Sequence, residues 1–502
     1  MDYEKIIPIT EPIAAARQSA KRHYGVHPYF TRRPSNVVRA YILNYTREGD
    51  RVLDPFGGSG VTAIEAFLEN RTGIQNDINP LANFIARGIA DLEKGNLSEY
   101  RDAIVALEGR CATVLDKLEK SDPKQIDTRR LKAALPRNVL LPENSDARYL
   151  FDLFEPSQLY GLGVLRFEIQ RLPQPYVRNA MLLALSATVT KLNRTFLSAE
   201  GRAESRGGSS IFSIYRYKVA KAPVKLPLWQ TFRERAENVV EAKAEIAKLI
   251  ELKKRQPSGW HGSFEVLKSD VTDLPKVLRE KVDYIFTDPP YGGHIAYLDL
   301  STMWNAWLNI LPSRAVGQKE LIVGGDERHT EEAYIRRLGE SVRASVAVLK
   351  PNRWMSIVFQ HWNIAYFHAI LASAAESGAD LRAAVSQIGD PIWSMHKKKG
   401  SESVLAGEMI LTFFNTGKPI GYETGRTIDL ECEVQALTRD CEGPLYGEYL
   451  LNRIVLKAWE RGATDSLNLS KEEFARILGD AGWRYSQTGH YWVKAGQQVA
   501  LL

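Results

Sequence analysis

The chain has 502 residues, enough for two to four domains of ordinary size and too many for a single small binding module. Hydrophobic residues at 44% and charged residues at 25% describe a globular protein, which disfavours bulk disorder and a collagen-like class, and no apolar run approaches bilayer length. A net charge of +6, from 66 basic and 60 acidic residues, is mild for this length, so the placement of charge carries more information than its sum.

The chain starts with an acidic segment lacking the charged-then-apolar pattern of a secretory signal, so a cytoplasmic protein is expected. Residues Arg51 to Asp54 form a short apolar strand that ends in a carboxylate. Gly57, Gly58 and Gly60 then turn the chain into Val61–Leu68, which has helical spacing, and Arg71 to Asp77 reads as a second strand ending in an acid. This is the opening of a doubly wound α/β unit. From about Phe84 to Gly262 the strand rhythm gives way to long amphipathic patterns, including Val177–Lys191 and Phe232–Lys254. Strand character returns at Phe264–Leu267 before Asp270, at Val282–Phe286 before Asp288, and at Trp354–Phe359. After about Thr427 the pattern changes again. Ser470 to Glu473 starts a short helix with a capping box, and Trp483 to Val493 around Gly489 reads as a hairpin whose Trp483, Tyr485, Tyr491 and Trp492 form a small core. The expected division is a core in two parts (1–90 and 262–426), a mostly helical insertion (91–261) and a small C-terminal accessory domain (427–502).

Three cysteines, Cys111, Cys432 and Cys441, argue against a disulfide framework and a four-thiolate zinc site, and point to a reducing compartment. The nine histidines show no pair at zinc spacing with an acid between, so no metal site is expected. Two other constellations carry chemistry. Asp54-Pro-Phe-Gly-Gly-Ser-Gly60 lies where a strand yields to a helix, so its glycines let backbone approach a ligand while the helix start supplies free N–H donors. Asp77, 23 residues after Asp54, stands at the tip of the next strand, where a carboxylate can take both ribose hydroxyls of a nucleoside. The second constellation is Thr287-Asp-Pro-Pro-Tyr-Gly292. Its paired prolines forbid strand pairing and present rigid acceptors, and Tyr291 offers a flat face, which together suit a planar ring bearing an exocyclic amine.

These two signatures resemble the amino-directed DNA methyltransferases that use S-adenosylmethionine, the N6-adenine and N4-cytosine group; the likeness covers roughly residues 23–90 and 262–415. The resemblance implies a Rossmann-like methyltransferase core with a target-recognition insertion. It places His27, Phe30 and Thr31, within His27-Pro-Tyr-Phe-Thr-Arg-Arg-Pro34, beside the methionine end of the cofactor. It makes Asp54, Pro55, Phe56, Gly57, Gly58, Ser59 and Gly60 the methionine-side loop, Asp77 and Ile78 the ribose site, and Asp270 and Val271 the adenine site. Asp288, Pro289, Pro290 and Tyr291 become the catalytic loop, with Asp288 also next to the cofactor. Leu349–Arg353 matches the helix-to-strand turn that follows in the family.

The chemistry implied is transfer of a methyl group to the N6 amine of adenine in duplex DNA, on a base rotated out of the helix. An aspartate at the start of the catalytic loop favours adenine over cytosine N4. Gly292 departs from the family pattern and is shared with some RNA guanine-N2 methyltransferases, which keeps that substrate as a further alternative. A SAM-fold DNA-recognition subunit without catalysis is the reading from another class, opposed by intact Asp77 and Asp288. A cytosine-C5 mechanism needs a Pro-Cys nucleophile, and the residues preceding the cysteines are Arg110, Glu431 and Asp440. Between Lys191 and Arg235 lie ten basic and three acidic residues. Within that stretch Arg202, Arg206, Arg216, Lys218, Lys221 and Lys225 alternate with Phe212, Tyr215 and Tyr217, a DNA-contacting pattern in which cations meet phosphates and aromatics stack or wedge. No membrane partner is expected, and restriction or defence-system proteins are the partner class the reading admits.

Overall fold

Short apolar runs with side chains alternating between two buried faces build the centre of the protein. The computed structural model describes all residues except 1, 17–21, 94, 122–133, 198–207, 222, 389–406, 442, 487–490 and 495–502. The strands of the central sheet are β1 (Arg51–Asp54), β2 (Thr72–Asn76), β3 (Ser263–Leu267), β4 (Val282–Thr287), β5 (Leu349–Phe359), β6 (Ala379–Ile388) and β7 (Gly407–Asn415). They stand in the order β3-β2-β1-β4-β5-β7-β6, and β7 runs antiparallel to both its neighbours while the remaining pairs are parallel. The fold is a Rossmann-like α/β core with a largely helical insertion and a small C-terminal unit.

Alternation decides which residue faces which layer. Val52, Tyr284, Phe286 and Trp354 enter one apolar cluster, whereas Leu53, Ile285 and Met355 enter the other. Every residue of β4 is buried, as expected for a parallel strand covered on both sides. The helices Ser35–Tyr45 and Val61–Leu68 cover the first face, and Glu331–Val348 and Ile364–Glu376 the second.

The insertion contributes the helices Leu97–Lys120, Pro156–Gln170, Pro175–Lys191 and Leu228–Lys254. Leu107, Leu162, Leu183 and Phe232 from these helices share one continuous cluster with Val52 and Tyr284 of the sheet, so the insertion is packed onto the core. At the other end, Leu430–Thr438, Gly447–Glu460 and Lys471–Asp480 precede the antiparallel strands Trp483–Ser486 and Tyr491–Lys494. Ser470 caps its helix by accepting from the Glu473 N–H at 3.0 Å, as the capping-box pattern predicts. The hairpin turn around Gly489 lies outside the described residues. Trp483 and Trp492 are buried, and they join Val434, Leu451 and Phe474 in the second cluster.

Two strands of the sheet, β6 and β7, are additions to the sequence reading. The segment Leu349–Arg353, expected as a turn, is instead the first part of the 11-residue strand β5, with a register irregularity opposite Val282 to Tyr284 and Asn352 at φ 56°. Among the described residues no helix is long and apolar enough to cross a membrane.

Candidate active site

The chain order around β1 and β4 brings the two signature loops together. Strand order reverses between these neighbours, and in open α/β sheets the crevice beyond the carboxyl ends at such a reversal is where ligands bind. Leu53 pairs with Ile285, so the glycine loop after Asp54 and the Asp288 loop leave the sheet side by side.

Asp54 ties the two loops. Its Oδ1 accepts from the Phe56 N–H at 3.1 Å and from Thr287 Oγ1 at 2.8 Å, and its Oδ2 accepts from Thr62 Oγ1 at 2.8 Å. Burial pushes its carboxyl up to about 7. The glycines around it are required by space and backbone. A Cβ on Gly57 would lie 2.1 Å from Gln75 Oε1; Gly60 has φ +90°, and its Cβ would stand 2.6 Å from that of Ala86. At the tip of β2, Asp77 accepts from the Gly58 N–H at 2.8 Å and the Asn79 N–H at 2.7 Å, and burial pushes its carboxyl up to about 6.

One cavity collects most of the expected residues: Phe30, Thr31, Asp54, Phe56, Gly57, Gly58, Ser59, Asp77, Ile78, Asp288 and Pro290. Pro55, Gly60, Pro289 and Tyr291 belong to the same two loops without lining it. His27, Asp270 and Val271 sit elsewhere. His27 is buried, its Nε2 pairs with Ser186 Oγ at 2.8 Å and its Nδ1 with the Pro28 carbonyl at 2.6 Å, and burial lowers its pKa to about 3. It thus pins the N-terminal segment to the insertion helix Pro175–Lys191. Asp270 accepts from Arg337 at 2.7 Å and from the Thr272 N–H at 2.8 Å, and Val271 is in the second apolar cluster.

The cavity also contains residues that the sequence reading left unassigned. Tyr29, Arg32, Arg33, Asn79, Tyr297, Leu298, Glu320 and Leu321 line it. Arg32 Nε donates to Ser59 Oγ at 2.8 Å and its Nη2 to the His27 carbonyl at 2.5 Å, so this arginine joins the N-terminal motif to the glycine loop. Glu320 accepts from the Leu298 N–H at 3.0 Å, and burial pushes its carboxyl up to about 8. Arg32 and Arg33 stand inside the quoted motif, whereas nothing local distinguishes Glu320.

The loop expected to be catalytic carries a connected set of polar contacts. Arg33 Nε donates to Asp288 Oδ2 at 2.5 Å and Arg33 Nη2 to the Tyr291 hydroxyl at 2.8 Å, while Arg33 Nη1 reaches Glu408 on β7. The Tyr334 hydroxyl donates to the Pro290 carbonyl. His294, three residues past Tyr291, is exposed with its ring 5.8 Å from that of His361.

The basic stretch is divided. Arg202 and Arg206 lie outside the described residues. Lys218, Lys221 and Lys225 are exposed, and Arg216 pairs with Asp146 at 2.7 Å. The aromatic part of that expectation is corrected. Tyr217 is fully buried, donating to the Leu300 carbonyl at 2.6 Å, and the Phe212 ring packs 5.0 Å from Phe30 and 5.5 Å from Trp304. These side chains brace the insertion against the wall of the cavity because their apolar area is worth more inside than on a wet surface.

The profile of the N6/N4 DNA methylase family matches residues 11–85, which contain the N-terminal motif and the glycine loop. A curated relative, the type II methyltransferase M.MjaII of Methanocaldococcus jannaschii, is 21% identical over 334 residues, covering 57% of this chain. The match spans 62% of that relative's length. Two signature loops meeting at the switch point of a 3-2-1-4-5-7-6 sheet agree with both matches, and in these features the chain is similar to the amino-directed DNA methyltransferases.

Proposed function

We propose that the protein methylates the N6 amine of adenine in DNA with S-adenosylmethionine as donor. The observation that supports this most is the meeting of Asp54, the Gly57–Ser59 turn, Asp77 and Asp288 around one cavity. The wall suits a nucleoside: it offers Phe30, Phe56, Phe286 and Leu321 as apolar surface, and the carboxyls of Asp54, Asp77, Asp288 and Glu320 together with Arg32 and Arg33 as polar partners. Asp77 would hold the ribose, Phe30 and Thr31 together with the Asp54–Ser59 loop the methionine end. When bound, the cofactor supplies an electrophilic methyl group on a sulfonium.

The protein's own groups prepare the acceptor. An exocyclic amine is a weak nucleophile because its lone pair is delocalised into the ring. Hydrogen bonds donated by the amine to Asp288 and to the Pro289 carbonyl draw that nitrogen toward tetrahedral geometry and free the pair for in-line attack. The face of Tyr291 receives the extruded base, and Lys218, Lys221 and Lys225 supply phosphate contacts on the insertion. We assign target recognition to the insertion, within the division 1–90, 91–261, 262–426 and 427–502. Asp288 rather than serine at the head of the loop favours adenine over cytosine.

Incubation with labelled S-adenosylmethionine and, separately, duplex DNA, single-stranded DNA and RNA, followed by mass spectrometry of the nucleosides, tests the reading. N6-methyldeoxyadenosine from duplex DNA is expected, and Asp288→Ala abolishes it while leaving cofactor binding. N4-methyldeoxycytidine or a methylated RNA guanine replaces the substrate; turnover retained by Asp288→Ala refutes the role of the loop.

A further inference from the structure

We infer that Arg33 is a positioning residue for the amine-accepting carboxylate: its guanidinium holds Asp288, Tyr291 and Glu408 together and leaves one oxygen of Asp288 for the incoming amine. This role rests on the methyl-transfer reading above. Arg33 donates through Nε to Asp288 Oδ2 at 2.5 Å, through Nη2 to the Tyr291 hydroxyl at 2.8 Å, and through Nη1 to Glu408. A guanidinium is planar with its donors in a fixed fork, so one group bound on each edge fixes the three partners relative to one another. The fork has a firm base. Arg33 immediately precedes Pro34 and the helix Ser35–Tyr45, whose Val38, Tyr41, Ile42 and Tyr45 are buried in the core. Tyr291, the ring proposed to receive the base, is backed edge-on by Phe359 with centroids 5.2 Å apart.

The second observation is on the far side of the same carboxylate. Asp288 Oδ1 is buried and has no hydrogen-bond partner among the described residues. A buried acceptor without a donor is destabilising, and a donor that arrives with the substrate removes that penalty. An exocyclic amine is such a donor. Arg33 takes Oδ2, so the other oxygen has a defined direction, and the cation opposes the burial that favours the protonated acid.

The ionisation of Asp288 is a balance among named neighbours. Burial raises its pKa, Arg33 lowers it, Glu408 raises it and a hydrogen bond with Tyr291 lowers it, and Asp54 and Tyr297 are the other titratable groups that face it. Opposite charges on the two sides of Arg33 give the proposal a directional test. Loss of the cation moves the Asp288 titration to higher pH; loss of the Glu408 charge moves it to lower pH.

The experiment uses the full chain with Arg33→Met, Arg33→Lys and Glu408→Gln. Methyl transfer from tritiated S-adenosylmethionine to unmethylated plasmid DNA is measured against pH, cofactor affinity is measured by calorimetry without DNA, and the Asp288 carboxyl is followed by carbon NMR with Asp288→Asn as the assignment. Arg33→Met is expected to lower kcat about tenfold or more and to shift both the acid limb and the carboxyl titration upward by about one pH unit or more, with cofactor affinity within about twofold. Arg33→Lys recovers part of both effects, and Glu408→Gln shifts them downward. Unmoved titrations, or shifts of one sign in both variants, overturn the role. So does a fall in cofactor affinity with the limb in place, which assigns Arg33 to the cofactor instead. Absence of transfer by the unaltered protein overturns the methyltransferase reading and this role with it, whereas transfer with an unmoved titration overturns this role alone.

Discussion

Replacing Asp77 with asparagine keeps the shape of the cavity wall but removes its charge, and the effect on cofactor affinity follows from the geometry. The Asp77 carboxyl is pushed up to about 6 by burial and is held by the Gly58 and Asn79 N–H groups. If Asp77 holds the ribose, its ionised carboxyl accepts from both ribose hydroxyls; when protonated one oxygen carries a proton and that acceptor is weakened. Binding therefore weakens about tenfold for each pH unit below about 6 and levels off as the carboxyl becomes fully ionised. Hydrogen bonds to a charged acceptor contribute about 1.5–3 kcal/mol each. Since the carboxamide introduced by Asp77→Asn would keep one acceptor, a loss of about 2–3 kcal/mol is expected, or roughly 30- to 150-fold in Kd at neutral pH. The assay is titration calorimetry with S-adenosylmethionine between pH 5 and 7, without DNA. Glu320, whose carboxyl is pushed up to about 8, and Asp299, pushed up to about 6, lie near the same wall, and Glu320→Gln serves as the control that keeps the slope. A flat profile for the unaltered protein, or the same slope in Asp77→Asn, refutes the assignment of Asp77 to the ribose.

Two further predictions concern charge elsewhere. If Lys218, Lys221 and Lys225 contact phosphates, changing all three to alanine lowers the slope of log K against log salt by about 2–3, whereas Arg216→Ala does less because Asp146 already pairs with that side chain at 2.7 Å. An unchanged slope across a salt series removes the assignment. Lys243 is 2% exposed, its ammonium lies 3.8 Å from the Tyr100 ring centroid, and burial lowers its pKa to about 7. The unfolded chain then holds a proton more tightly than the folded one, so charged Lys243 destabilises the fold fully below about 7, and the penalty fades as pH rises toward the unfolded value near 10.5. Lys243→Met is expected to raise stability by about 2 kcal/mol at pH 6, with a smaller gain at pH 9, and denaturant unfolding at the two pH values measures it. A gain that does not shrink with pH contradicts the account.

Chemistry held in consecutive residues was legible in the chain. β1, β3 and β4 announce themselves as short runs rich in apolar residues ending near an acid or a turn, β2 by its place before Asp77, and Val61–Leu68 coincides with the observed helix, because period and turn residues are local properties. The two loops are local for the same reason: glycines, prolines and acids at their spacing state what the backbone must do there. β6 carries no local strand signal, since Ala379–Ile388 holds three alanines and Arg382, and it becomes a strand through its pairing with β7.

What the sequence by itself determined is the α/β class, the identity of the two signature loops and the carboxylates within them. Only the tertiary structure decided which groups meet. The reversal of strand order places Asp54 beside Thr287, more than two hundred residues away in the chain, and brings Glu320 into a wall shared with Asp77. It also buried Tyr217, packed the half-buried Phe212 against Phe30, and seated Arg33 between Asp288 and Glu408, 255 and 375 residues downstream. The reason is physical: a turn or a strand is dictated by forces between neighbours, whereas the burial of an aromatic ring and the partner of a charge depend on every layer packed around them.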